Sequence, residues 1–220
     1  MVVNFCLMRQ FLRQSGVIFF LLVASGWADD KKNQTQLYAK PGQTVDLEAT
    51  KLVTARENCE NWAIAAGLES MLKREDVTLD QNFWVMHISH GELCSPEIPS
   101  ADVLADVVNR EFVEEGGRHV TLNLSYLPGA PSNPDALIAG LKQQRLSLLL
   151  LHGHVYYLTG ATYDEYVNRD GSRMFIITEL RLANTFARQP GLAFTKGRDN
   201  LDEIGALIYV KVTPALTQHW

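Results

Sequence analysis

Asn58-Cys59-Glu60-Asn61-Trp62-Ala63-Ile64-Ala65-Ala66-Gly67-Leu68-Glu69-Ser70-Met71-Leu72 is the stretch from which the rest of the chain is read. Ile64, Leu68, Met71 and Leu72 recur at i, i+4, i+7 and i+8, the spacing of one apolar helix face. Asn58 is a favoured N-cap residue, and Glu60 and Glu69 are good helix formers. The pattern therefore predicts a helix over 59–73 that begins at Cys59. Unpaired N–H groups and the helix dipole favour negative charge in a first turn. A thiol placed there has a lowered pKa, and its thiolate is the nucleophilic form.

Upstream, the sequence changes character. Arg9 and Arg13 precede an apolar run from Val17 to Ala24, and Ser25-Gly26-Trp27-Ala28 supplies small residues at the −3 and −1 positions. These are the three parts of a secretory signal peptide, with cleavage expected after Ala28, so the protein is expected to be exported to a periplasmic or extracellular space. The run is short for a membrane span, so no membrane association is expected after cleavage. Cys6 leaves with residues 1–28, and Cys59 and Cys94 remain. Two cysteines in an exported chain are also the makings of a disulfide, worth roughly 4 kcal/mol across a loop of this length in the chain-entropy view. A bridged Cys59 is no nucleophile, so the bridge and the catalytic thiol are competing readings.

The 220 residues leave room for one well-buried domain. With 46% hydrophobic and 20% charged residues the chain is globular rather than disordered. A net charge of −5 without a Lys/Arg cluster gives no footprint for nucleic acid. Residues 29–50 read as a polar N-terminal extension, a flexible start with a turn at Pro41-Gly42, ahead of a domain over 51–220.

Downstream of the first helix, Asp80 caps a second that runs to about Ile88, and Ser100 caps a third from Ala101 to about Phe112 with Val103, Leu104, Val107 and Val108 inside. His87 and His90 are three apart, but with no third ligand nearby they suit a helix end better than a metal. No metal or other cofactor is expected. From Gly116-Gly117 the periodicity changes. His119 to Tyr126 alternates as a half-buried strand, and Asp135 to Gln143 is a short amphipathic helix with Leu137, Ile138 and Leu141 inside. Leu146 to Leu151 is too apolar for an edge strand; Val155 to Thr159, Arg173 to Leu182 after an Asn168–Gly171 hairpin turn, and Leu207 to Val212 complete a sheet. Tyr163-Asp164-Glu165-Tyr166 reads as an acidic turn between strands, and Leu201-Asp202-Glu203 as surface. Helices first and an antiparallel sheet after them make an α+β fold.

Thiol hydrolysis needs a thiolate, an imidazole, a group that orients the imidazole and donors for the oxyanion. Cys59 is the candidate nucleophile. His154 lies where a buried strand follows a glycine, with His152 as a spare on the same face by alternation. Asn184, just past the next strand, is the candidate orienting group. This order resembles the papain-like cysteine peptidases and their bacterial relatives, including the bacteriocin-processing type. Trp62-Ala-Ile-Ala-Ala-Gly-Leu-Glu-Ser70 is similar to the helix after the papain cysteine, Leu79-Asp80-Gln81 to the start of that family's second helix, and Gly153-His154-Val-Tyr-Tyr-Leu-Thr-Gly160 to its His strand.

The resemblance implies a papain-like fold, an N-terminal helical subdomain packed on a C-terminal antiparallel sheet with a cleft between. It also implies Cys/His/Asn cleavage of a peptide or protein substrate, with Asn58, Asn61 and Trp62 beside the oxyanion. Two alignments stay open. In papains the cysteine directly precedes the tryptophan, and Asn61 holds that place here. On this alignment Cys59 matches the structural cysteine bridged to the loop after the second helix, where Cys94 stands, and the protein is an inactive binding module. In the bacterial relatives the cysteine is often followed by Gly-Pro or Gly-Ala, and Cys59 itself is then the nucleophile while Trp62 packs.

Overall fold

The computed structural model describes residues 38–49, 55, 57–59, 62–89, 98–114, 116–129, 134–185, 192–195, 198–199 and 201–214. The chain divides into two units, Met1–Thr35 and Gln36–Trp220, and every described residue belongs to the second. The signal-peptide reading of 1–28, and the readings of Asn61, His90 and Cys94, fall outside the described residues.

One strand precedes three helices, and an antiparallel sheet dominates the remainder of the chain, so the α+β class holds. After a first strand β1 (Tyr38–Asp46) come α1 (Ala63–Lys73), α2 (Gln81–Ile88) and α3 (Ala101–Val108). Next are β2 (Glu111–Val113), β3 (His119–Pro128), α4 (Pro134–Lys142), β4 (Ser147–Leu151), β5 (His154–Val167), β6 (Arg173–Asn184), β7 (Leu192–Thr195) and β8 (Ile204–Pro214). The sheet runs β2-β3-β8-β4-β5-β6-β7, with β1 also on β5, and each of these pairings is antiparallel.

Local signals locate several elements as the sequence predicts. Asp80 Oδ1 accepts from Phe83 N at 2.9 Å and Ser100 Oγ from Val103 N at 3.4 Å, which fixes the starts of α2 and α3. Leu137, Ile138 and Leu141 of α4 are buried, and the Asn168 turn closes through Asn168 N to Ser172 O at 2.9 Å. The α3 helix stops at Val108, short of Phe112, which belongs to β2 instead; Val103, expected inside, is 41% exposed.

Four strand assignments differ from the sequence reading. Residues 38–46 are not a flexible start but a strand of the sheet, because β5 offers an edge that β4 has already left. The register shift between Lys40 and Gln43 absorbs Pro41-Gly42; Gly42 takes φ 64°, and its N–H donates to Asp164 Oδ1 at 2.9 Å. Arg181 Nε then ties β6 to Asp46 Oδ1 at 2.6 Å. Tyr163–Tyr166 is not a turn but the middle of β5, with Glu165 buried and ion-paired to Arg173 at 3.2 Å and Lys40 at 3.9 Å. The last strand does not close the sheet; β8 lies inside it between β3 and β4. His152 is not in strand alternation with His154. It occupies, with Gly153, a two-residue hairpin turn at φ 52° and 75°, the left-handed pair that matches strand twist.

The three first helices form one layer. Leu148 of β4 packs against Gly67 in the middle of α1, where any Cβ would collide with the leucine side chain. Trp84 of α2 is fully buried and meets the Phe112 ring edge-on at 5.6 Å. The α4 helix lies on the other face: Gly140 approaches Ser147 Oγ, one residue along β4 from Leu148. Burial on both faces explains why β4 reads as a continuous apolar run.

Candidate functional site

The predicted site begins with a helix start that lies four residues further on. The α1 helix opens at Ala63 with Trp62 at the N-cap position and no side-chain cap. Asn58 and Cys59 precede it, so Cys59 does not lie in the first turn as predicted. Long-range ties hold this segment instead. Glu57 N donates to Thr185 O at 3.2 Å and Asn58 N to Gln81 Oε1 at 3.1 Å, while Trp62 N closes a local turn onto Cys59 O at 3.1 Å. Gln81 Nε2 donates in turn to the buried Glu69 Oε2 at 2.8 Å, and Lys73 pairs with the other oxygen. Asn58 is not the cap, since the helix opens only after Trp62.

Cys59 is half-buried and disulfide-bonded. Its sulfur is therefore not a free thiol, which corrects its assignment as nucleophile. Cys94, the partner weighed from the sequence, lies outside the described residues.

The base and the orienting group are displaced by one residue of strand parity. Tyr157 is fully buried against α1: its hydroxyl donates to Ala55 O at 2.9 Å and lies 2.8 Å from Ser70 Oγ. Pairing is regular from His154 to Leu158, so Val155 shares the α1 face and His154 and Tyr156 take the other. Asn184 pairs with Tyr156 and Ala183 with Tyr157, so Asn184 also takes the outer face. Thr185, next in line, turns back to the helical side. Its hydroxyl donates to Glu57, whose carboxylate is buried, and to Val155 O at 3.3 Å. Where an imidazole and its partner would face α1, the protein has Val155 and Thr185.

On the outer face His154 is exposed, with its ring 6.3 Å from that of Tyr156. Tyr156 and His152 each lie 6.0 Å from Phe194, and His152 Nε2 is 3.3 Å from Glu203 Oε2. Leu201–Glu203, read as bland surface, thus receives the hairpin turn. Burial raises the phenol pKa of Tyr156. Trp62 packs in the core, as one of the two alignments has it. His87 stacks on Phe83 at 4.1 Å at the end of α2. Among the described residues no three His, Cys, Asp or Glu side chains converge on a metal position, and no helix is long and apolar enough to cross a membrane.

Sequence reasoning missed the residues that hold this region together: Glu57, Gln81, Tyr157 and Thr185. Alternation along β5 marks Val155 and Tyr157 as one face, but only the pairing with α1 says which face looks at the helices.

No family model, curated protein or solved structure matches this chain.

Proposed function

We propose that the protein is an exported, papain-like binding module that holds a peptide or protein segment without cutting it. The bridged state of Cys59 carries this reading, because a sulfur in a disulfide has no lone nucleophilic thiolate to attack a carbonyl. Cys94 is the bridging partner in this reading, and the pattern over residues 1–28 supports an oxidising destination where such a bridge persists. Helices packed on an antiparallel sheet are compatible with the papain-like resemblance. His154 and Asn184 take the sheet face away from α1, which further supports binding over hydrolysis.

The test uses the exported chain with a complex peptide library, read by mass spectrometry. The expected result is partial retention of the library on immobilised protein and no cleavage above a protein-free blank. Reproducible cleavage that iodoacetamide abolishes would overturn the proposal, and so would retention of no peptide at all.

A further inference from the structure

A cleft of about 590 Å³ opens at the C-terminal end of α1, the end remote from Cys59. Its size falls within the range of small-molecule sites. One wall is Met71 of α1 with Arg74 and Glu75 just past its end, another is the loop from α4 to β4 with Arg145, and the third is β8 with Lys211 beside Asn123 and Ser125 of β3. Beyond Ile208, β8 no longer runs beside β4 and pairs with β3 alone. Every second backbone N–H of that stretch therefore points to the open edge that borders the cleft.

In a chain of net charge −5, three cationic residues border this one cleft against a single acidic one. Among the described residues none of the three has an acidic partner within ion-pair distance; the ion pairs of the protein are made by other side chains. Arg74 and Arg145 are nevertheless held in place. Arg74 donates to Gln144 O, while Arg145 donates to Gln143 Oε1 and lies 4.2 Å over the Tyr209 ring. Each guanidinium carries five donors, so most remain for a ligand.

The loop that presents Arg145 is itself fixed. Gln144 adopts a left-handed backbone, φ 57°, and its side chain spans to the first strand, accepting from Glu48 N at 2.8 Å and donating to Asp46 O at 3.1 Å. A non-glycine residue keeps that conformation only where its surroundings hold it. A helix-dipole role accounts for Arg74, but Arg145 and Lys211 come from a loop and a strand.

We propose that this cleft binds a small polyanion, a molecule with two or more carboxylate or phosphate groups, through Arg74, Arg145 and Lys211. The inference does not rest on the peptide-binding reading and concerns another part of the molecule. Calorimetric titration of the full chain with pyrophosphate and, separately, tricarballylate tests it, with glycerol as the neutral control. At least one anion is expected to bind with a sub-millimolar Kd, and which one binds separates a phosphate ligand from a carboxylate. Arg145→Gln and Lys211→Gln are each expected to weaken that binding about tenfold, the loss of one charge-assisted contact. Lys211 is exposed, so K211Q is expected to keep the thermal unfolding midpoint of the parent. Binding of neither anion below the millimolar range, or equal binding by the parent and both variants, would overturn the proposal.

Discussion

Tyr157 is the residue through which the sheet grips the segment before α1. Its hydroxyl bridges Ala55 O and Ser70 Oγ, and Ser70 Oγ also accepts from Ala55 N at 2.6 Å. Tyr157→Phe leaves a buried carbonyl without its donor, so a loss of about 1–2 kcal/mol is expected in urea unfolding. Burial pushes the Tyr157 phenol well above its ordinary pKa, since the charged form cannot be solvated there. The sign follows from linkage. A group whose folded value is raised contributes fully below its unfolded pKa, about 10 for tyrosine, and that contribution is lost as pH rises through the folded value. Parent protein is expected to lose stability steeply above about pH 10, and Y157F less steeply, with Tyr156 retaining part of the fall. Equal alkaline slopes in the two proteins would contradict the placement of this hydroxyl.

At the scale of elements, the contact between α1 and β4 depends on a missing side chain. Gly67 stands in the interior of α1, where glycine costs about 1 kcal/mol relative to alanine. It is there because Leu148 occupies the space a Cβ would need. Gly67→Ala is therefore expected to destabilise by about 1–2 kcal/mol despite the better propensity, since overpacking outweighs it. Leu148→Val in the G67A background is expected to recover part of the loss, and a double-mutant cycle by urea denaturation measures the coupling. Simple additivity would show that the helix does not approach the strand there.

Elements with their own local punctuation were legible in the sequence. Asp80, Ser100 and the Asn168–Gly171 turn carry the chemistry of their caps and turns in place, and α4 shows its apolar face. Elements set by distant partners were not. The β1 strand contains Pro41-Gly42 and looks like a turn until β5 supplies a partner and a bulge. Asp164 and Glu165 read as turn residues because their partners, Gly42 and Arg173, lie far off or across a hairpin. The start of α1 lies at Ala63, and the segment before it is tied to distant partners, Glu57 N–H to Thr185 O and Asn58 N–H to Gln81 Oε1, which sequence spacing does not reveal.

At the scale of the whole molecule, strand parity sets His154 and Asn184 on the sheet face away from α1. The chain does carry Cys59, then His154, then Asn184, but order carries no information about which face a side chain takes. Only the docking of Tyr157 onto α1 decides it, and it turns Val155 and Thr185 inward. The same region is closed covalently at Cys59, with the Glu57–Thr185 pair beside it. The three cations of the cleft were passed over for a related reason: Arg74, Arg145 and Lys211 are scattered in sequence and border one cleft only in the fold.

The state of the Cys59 sulfur in the native, exported protein tests this account most directly. The chain is alkylated with iodoacetamide without reductant, digested, and mapped by mass spectrometry under non-reducing conditions. The account predicts unmodified Cys59 in a peptide disulfide-linked to the one that carries Cys94, both released by reduction. Carbamidomethylated Cys59 recovered from the folded protein would contradict it and restore the thiol as a candidate nucleophile.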